Sequence, residues 1–597
     1  MKSRTSYFDK TAFLKNLTRF APAWVLYTVG ALMGLVMLLD SSSKWMVHNL
    51  VDSIQILSVI TPCYALLCTQ LLFGDLYNSR MCNALHALPL RRETWFFTNV
   101  ISGFVFHLIP TLTLAVLAAP ILLLYGPENG WIAALLFLLG SNLQFLCFFG
   151  IAVFSALCVG NRFAQVMVYG ILNFASIITG WIVDTLYIAQ FYGLRLDTSK
   201  FYPLSPVISM VENAFAETER LYVGVHDASI SEAVFAFTPG ECFTYYFLAA
   251  AAGLGLLIAA LWLYRRRKLE CAGDFMAVKG MEPVFLVVYT LIVGAVFYYI
   301  TENILDMQTL FFLFLGLGVG WFTGKMLLER TTRVFRLKSV LACGGVMAVF
   351  GLSLALAFWD PLDIEGWVPE ADQVESVGIT DGWYTPSHPH EDLILTEPAD
   401  VQKIIDIHRE AVDFYQQHGH YQFRVETSET IEISQNITKE EVEWVDFHLL
   451  TTLTYHMKDG RSVVRYYNIW MGDDTGDYFR QLYSRPEYIF GEGMTEARFL
   501  EENDHLVIQD SWHGEETVIH AQVDVQGLYR AIIADCVAGT MVQNWNYHHA
   551  DQCLFWLYGD GSEDIRIFSN AENTLNWLRD YGLDVDGLME VMKNGYG

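Results

Sequence analysis

Apolar runs long enough to cross a membrane recur along the first 359 residues, separated by short polar connections, and beyond Trp359 the pattern changes to short alternations and amphipathic stretches. A hydrocarbon core about 30 Å thick needs about 20 mostly apolar helical residues, because each backbone polar group must be satisfied within the segment. Nine stretches meet that demand, near Ala23–Leu39, Ile54–Phe73, Phe96–Leu124, Trp131–Cys158, Phe163–Ile182, Phe243–Tyr264, Val284–Ile300, Thr309–Leu328 and Val340–Trp359. The third and fourth are long enough to tilt or kink, with Pro110 as the kink point. Glu302 and Asp306 divide the seventh from the eighth, since each acid inside a span costs about 2.5 to 3.5 kcal/mol. Before the first span, Phe8, Phe13, Leu14, Leu17 and Phe20 interleave with Lys10, Lys15 and Arg19, which predicts an amphipathic leader helix within residues 1–22 lying on the inner leaflet.

The distribution of Lys and Arg gives the spans a direction. Lys2 to Arg19, then Arg80, Arg91 and Arg92, then Arg162, then Arg265 to Lys268, then Lys325 to Lys338 fall on alternate connections, while the intervening connections are acidic or poor in basic residues. Basic short loops stay on the cytoplasmic side. The N-terminus is therefore expected inside, and an odd number of spans puts everything after Trp359 outside.

After Trp359 the periodicity reads as α+β. Val401, Ile404, Ile405, His408, Val412 and Tyr415 recur at helical spacing after Pro398 and Asp400. Leu449–Tyr455 and Ser462–Trp470 alternate around Lys458, Asp459 and Gly460, the pattern of a hairpin. A similar strand, turn and helix series at Cys553–Tyr558, Gly559–Gly561, Ile565–Phe568 and Asn573–Arg579 hints at a twofold repeat.

Composition sharpens this division. The chain is 53% hydrophobic and 17% charged, against about 25% charge in a globular domain, which excludes a single soluble globule. Of 65 acids and 37 bases in all, 20 acids and 23 bases lie in residues 1–359, leaving 45 acids and 14 bases in residues 360–597. So acidic a surface makes nucleic acid a poor partner, and its aromatics make it too hydrophobic for a disordered tail. The fold class expected is a polytopic α-helical membrane protein of about nine spans with a C-terminal α+β soluble extracellular domain.

Motifs for chemistry are sparse. There is no Walker A sequence, no G-x-S-x-G elbow, no H-E-x-x-H and no EF-hand loop. Gly316, Gly320 and Gly324 recur every fourth residue, a small-residue stripe for close helix packing, either within the chain or at a dimer seam. His107, Asn142, Gln144 and Asn173 fall within spans, where helix-to-helix hydrogen bonding is the expected role. Twelve of the 16 histidines follow Trp359. His388, His390, Glu391 and Asp392, the pair His418 and His420, and the pair His548 and His549 lack the separated ligand spacing of a metal site. His408 is expected to be a buried, hydrogen-bonded residue on the apolar face of its helix. Cys536 and Cys553 are the cysteines of this acidic region and could pair in an oxidising compartment.

The stretch Gly74–Trp95 is the most informative connection. Leu76, Met81, Leu85 and Leu88 form a helical stripe, Pro89 ends it, and Arg91, Arg92 and Glu93 open the next span. With Phe73, Asp75, His86, Ala87, Leu90, Phe96, Phe97 and Gly103, this string resembles the coupling loop of bacterial ABC-2-type transporter permeases, Ala87 standing where the family usually has serine. The resemblance is closest to the Firmicutes group with an appended C-terminal domain of unknown function. It extends to Arg267–Phe275, Pro283, Phe285 and Glu329–Lys338, and so covers the membrane half.

That resemblance implies a permease core over residues 23–264, with a coupling loop at 74–95 and an outer loop at 192–242. Three additional spans over 265–359 and the acidic domain over 360–597 go beyond the family's six-span core. The implied coupling residues are Leu85, His86, Leu88, Pro89, Arg91 and Arg92. The implied partners are a cytosolic ABC ATPase, a second permease in a homo- or heterodimer, and membrane lipid. ATP would be used by the partner, no cofactor being bound by this chain, and the setting would be a bacterial plasma membrane. Absence of a nucleotide motif and of a buried carboxylate relay fits a chain driven from outside, which would export or clear an amphipathic or peptide-like substrate. A membrane receptor whose outer domain binds an envelope ligand without transport is the alternative the same residues leave open.

Overall fold

A computed structural model describes residues 7–40, 46–87, 91–125, 131–188, 191–195, 204–210, 244–303, 310–381, 393–418, 448–470, 473–490, 494–503, 505–511, 516–541, 553–559 and 565–594. The chain divides into two units. One comprises Met1–Leu186 with Asp197–Ala355, and the other Tyr187–Leu196 with Leu356–Gly597. The three spans expected over 265–359 thus belong to one body with the preceding core. A short piece of the expected outer loop belongs with the C-terminal unit, while residues 196–203 and 211–242 of that loop lie outside the described residues.

The helical unit begins with α1 (Lys10–Arg19), capped by the Asp9 carboxylate, which accepts from the Ala12 N–H at 2.8 Å. Then come α2 (Ala21–Asp40), α3 (Met46–Leu72), α4 (Ser79–His86), α5 (Arg92–Tyr125), α6 (Trp131–Cys158), α7 (Arg162–Leu186), α8 (Thr244–Arg266), α9 (Glu282–Asn303), α10 (Leu310–Glu329) and α11 (Leu337–Trp359). Helices α5 to α11 are long and apolar enough to cross a membrane. Shorter apolar stretches, Ala21–Met33 and Val59–Leu72, lie in α2 and α3. Helix α6 is the innermost of the seven, its apolar window 61% buried against 33% or less for the others.

Pro110 sits inside α5 without ending it. Proline removes the N–H that would bond the carbonyl four residues earlier, and here Tyr64 of α3 donates its hydroxyl to the Phe106 carbonyl at 3.1 Å. The orphaned acceptor is therefore paired by a neighbouring helix, as the lipid environment requires. His107 is bonded between helices, Nδ1 to the Asn142 amide oxygen at 3.3 Å and Nε2 to the Tyr27 hydroxyl at 3.4 Å. Its ring stacks on Phe145 with centroids 4.3 Å apart.

Two glycine contacts set helix spacing. Gly316, Gly320 and Gly324 of α10 face α9, against Phe297, Thr290 with Val293, and Leu286 with Tyr289 respectively, so the stripe packs within the chain. At the crossing of α6 and α8, Gly150 and Gly253 meet backbone to backbone: a Cβ on Gly150 would lie 2.3 Å from the Gly253 carbonyl oxygen.

The C-terminal unit holds two four-stranded antiparallel sheets of the same topology. The first contains β1 (Val374–Asp381), β2 (Leu393–Leu395), β3 (His448–Met457) and β4 (Ser462–Trp470), in the order β2-β1-β3-β4. Helix α12 (Pro398–His418) lies between its two strand pairs in sequence. After α13 (Asp473–Tyr483), α14 (Pro486–Phe490) and α15 (Glu496–Glu502) comes the second sheet, β5 (Leu506–Asp510), β6 (Glu516–Ile519), β7 (Phe555–Gly559) and β8 (Ile565–Ile567), in the order β6-β5-β7-β8. Helix α16 (Gln522–Ala538) divides its strand pairs as α12 divides the first, and α17 (Glu572–Tyr581) and α18 (Val585–Asn594) close the chain. The unit is therefore a twofold repeat in which the hairpin β3–β4 corresponds to β7–β8. Both halves contribute to one apolar core.

Polar staples fix the helices to this core. Asp400 receives two bonds from the Arg485 guanidinium at 2.7 and 3.0 Å and one from the Tyr478 hydroxyl at 3.1 Å. The hydrogen bonds from Arg485 hold its carboxyl below the usual carboxylate range. His408 is buried, its Nδ1 bonded to the Tyr455 hydroxyl at 2.9 Å and its Nε2 to that of Tyr467 at 2.7 Å, and burial pulls its pKa down to about 3. Cys536 and Cys553, whose pairing the sequence leaves open, are both free thiols, the first buried and the second hydrogen-bonded to the Phe555 carbonyl.

Candidate functional site

Three of the basic connections in the helical unit are bound together at one end of the bundle. Their organising principle is the helix C-terminus, where the last carbonyls lack partners and carry partial negative charge. Each exposed set is capped by a side chain from elsewhere. Asn99 of α5 donates to the Leu72 carbonyl at the end of α3 at 2.9 Å. Arg267, one residue beyond α8, donates to the Ala156 and Leu157 carbonyls at the end of α6 at 3.1 and 3.2 Å, and to Leu76 at 3.4 Å. Arg92 of α5 returns the favour to α8, donating to the carbonyl of Arg267 at 3.0 Å and of Arg265 at 3.5 Å. The Arg265 guanidinium in turn pairs with Glu93 at 3.2 Å. Burial lowers the Arg267 pKa from its ordinary value, yet guanidinium remains a cation at neutral pH.

The segment after Arg267 docks on the bend between α6 and α7. Gly273 and Ala277 donate their N–H groups to the carbonyls of Gly160 and Cys158 at 2.7 and 2.8 Å, and Val159 bridges Met276. Asn161 caps α7 by accepting from the Ala164 N–H at 2.8 Å, and its amide reaches the Asp274 carbonyl. Gly160 has no room for a side chain: a Cβ would fall 2.2 Å from the Cys271 carbonyl oxygen. Tyr77, in the short turn Gly74–Tyr77, donates to the Gln165 side chain at 2.7 Å.

On this platform sits α4. Asn78 caps it, accepting from the Arg80 N–H at 3.0 Å. Leu76 and Cys82 are buried beneath it, whereas Ser79, Arg80, Met81, Asn83, Ala84 and Ala87 are exposed. The stripe expected from Leu76, Met81, Leu85 and Leu88 is thus corrected: Met81 is 44% exposed, and Cys82 is the residue that anchors the helix. Leu85 and His86 occupy its last turn, and Leu88 and Pro89 lie outside the described residues. Arg91 is exposed, but Arg92 is a C-terminal cap of α8 and not a free surface charge.

The leader helix joins the same end. Its Asn16 donates to the Asn99 side chain at 2.9 Å and to Ser102 at 3.2 Å, and Leu17 and Phe20 pack against the bundle's core. Lys10, Lys15 and Leu14 face outward. The expected amphipathic helix therefore turns its apolar side to α5 and its neighbours.

Among the described residues no group of three or more His, Cys, Asp or Glu is placed to hold a metal. The histidine strings at His388–His390, His420 and His548–His549 lie outside the described residues. The architecture defines a polytopic helical membrane protein with a sheet-containing C-terminal region. No family model, curated protein or solved structure matches the chain.

Proposed function

We propose that this chain is the permease subunit of an ABC transporter, driven by a separate cytosolic ATPase and moving an amphipathic or peptide-like substrate across a bacterial plasma membrane. The observation that carries the proposal is the mounting of α4. A short helix is anchored by Leu76 and Cys82, presents nearly all its other described side chains to solvent, and stands on a platform joining the ends of α3, α6 and α8. Force applied to such a helix reaches several spans through capped helix ends rather than through a loose loop. A soluble partner that binds two bundle arrangements with different affinity would shift their populations.

The resemblance in the string around His86–Arg92 supports the nature of that partner, and the positive-inside pattern supports its cytosolic side. An even number of crossings after α7 is supported by the chain's connectivity. Tyr187–Leu196 directly follows α7 and belongs to the same unit as the residues following α11, which supports a topology with both helices ending on one side of the bilayer. Four intervening crossings satisfy that parity, and an acidic domain outside completes the reading.

The test is affinity purification from native membranes in mild detergent, with identification of any bound ATPase. Arg80→Glu, Met81→Glu and Arg91→Glu combined are expected to reduce ATPase recovery at least tenfold without loss of the folded chain. Undiminished recovery would overturn the coupling assignment. Reconstituted protein that binds an envelope ligand but shows no ATP-driven flux would favour the receptor alternative.

A further inference from the structure

Three successive residues of β4, Arg465, Tyr466 and Tyr467, each secure a chain segment that leaves a membrane-length helix. The first segment, Tyr187–Leu196, follows α7. The Tyr466 N–H donates to the Gly193 carbonyl at 3.0 Å, and the Tyr192 ring meets the Tyr467 ring edge-on at 5.3 Å. Gly193 adopts φ +75°, and a Cβ there would lie 2.4 Å from the Tyr467 ring, so both backbone and space demand glycine.

The second segment, Asp360–Trp367, follows α11. The Asp360 carboxylate accepts from the Ile364 and Glu365 N–H groups at 2.9 and 3.0 Å. Arg465 donates to the Ile364 carbonyl at 3.2 Å and lies over the Trp367 ring, 5.0 Å from its centroid. The two segments also touch directly, for the Tyr192 N–H donates to the Glu365 carboxylate at 3.0 Å. Behind them, the Tyr467 hydroxyl is bound by His408 of α12.

One group in this cluster is under-satisfied. Arg465 is 6% exposed, yet among the described residues its Nε–H has no hydrogen-bond partner and the side chain has no ion-pair partner. A buried unpaired donor raises the energy of the closed arrangement and so reduces the cost of opening it. Reach reinforces the point: six residues from Leu186 to Tyr192 span at most about 20 Å, and five from Trp359 to Ile364 about 17 Å. Displacement of either helix end beyond that slack must pull on β4.

We propose that this cluster is a conformational clamp: it ties the exits of α7 and α11 to each other, so that the C-terminal domain registers or resists their relative movement. The clamp stands apart from the transport reading and would serve a receptor equally.

Hydrogen exchange on the full chain, reconstituted in bilayers of 14-carbon and of 22-carbon acyl chains, tests it. Bilayer thickness changes helix tilt and hence the positions of the exits. The amides of Tyr192, Ile364, Glu365 and Tyr466 are expected to change their exchange rates together, at least threefold between the two bilayers, while Val507–Gln509 of β5 does not. Gly193→Val should abolish that dependence and expose all four amides in both bilayers. Glu365→Ala, which removes only the link between segments, should accelerate Tyr192 and Tyr466 together. Equal exchange in both bilayers, or variants in which Tyr192 alone responds, would overturn the clamp.

Discussion

Gly253→Val is expected to prevent stable assembly of the helical bundle, whereas Gly255→Val, two residues away, is expected to be nearly neutral. A Cβ at 253 would sit 2.5 Å from the Leu146 carbonyl oxygen and 2.6 Å from the Cys147 Cα, while nothing lies within 4 Å of one at 255. The obstruction is backbone, which cannot rotate aside, so α8 must move away from the whole of α6. Membrane helices associate through close packing rather than through water exclusion, and separating a central pair forfeits that packing along its length. The cost should exceed about 4 kcal/mol, beyond ordinary point substitutions. Thermal stability in detergent, followed by size-exclusion recovery after heating, compares the two variants directly. Equal recovery would show that the α6–α8 contact is not the close crossing described.

The second large effect is expected at Asp535, in the C-terminal unit. This carboxylate is 1% exposed. One oxygen accepts from the Thr540 hydroxyl and from the backbone and side-chain nitrogens of Asn573, at 3.1, 3.1 and 2.8 Å. The other accepts from the Thr574 N–H and hydroxyl, both at 2.7 Å. It thus caps the N-terminus of α17 from the end of α16, where the helix dipole also favours a negative charge. Asp535→Ala leaves these donors buried without an acceptor and should destabilise the unit by about 3 to 5 kcal/mol. Asp535→Asn keeps one carbonyl oxygen, so a smaller loss of about 1 to 3 kcal/mol is expected. Denaturant unfolding monitored by exchange of the Asn573 and Thr574 amides measures both, and an unchanged midpoint for the alanine variant would remove the staple from the account.

What could be read from the sequence follows from how local each signal is. Each of the nine apolar runs corresponds to a helix, and seven of those helices are long and apolar enough over their described residues to cross a membrane, a length and composition that lipid imposes on each span separately. The β3–β4 hairpin, α12 and the β7–β8 series announced themselves through periods of two and 3.6 residues. The common strand order of the two sheets strengthens the repeat well beyond that hint.

Relations between distant residues left no such mark. Gly150 and Gly253 lack the four-residue glycine recurrence that exposed Gly316, Gly320 and Gly324, so their contact had no periodic signal. Arg92 and Arg267 looked like ordinary basic loop residues, yet each caps a helix that ends more than 100 residues away. A useful signal was present in retrospect, since both lie beside the expected ends of spans where carbonyls need donors. The recruitment of Tyr187–Leu196 to a unit composed otherwise of residues after 355 could not be found from local pattern at all.

The proposed function depends on an orientation in which the platform carrying α4 would face the cytosol, within reach of an ATPase, and the repeated C-terminal unit would face outward. Labelling of intact cells with a membrane-impermeant maleimide tests it most directly, using Arg80→Cys on α4 and Lys458→Cys in the β3–β4 turn, both at exposed positions. The account predicts modification of the residue-458 thiol in intact cells and of the residue-80 thiol only after the membrane is broken. Modification of the residue-80 thiol in intact cells, with the residue-458 thiol protected, would contradict it.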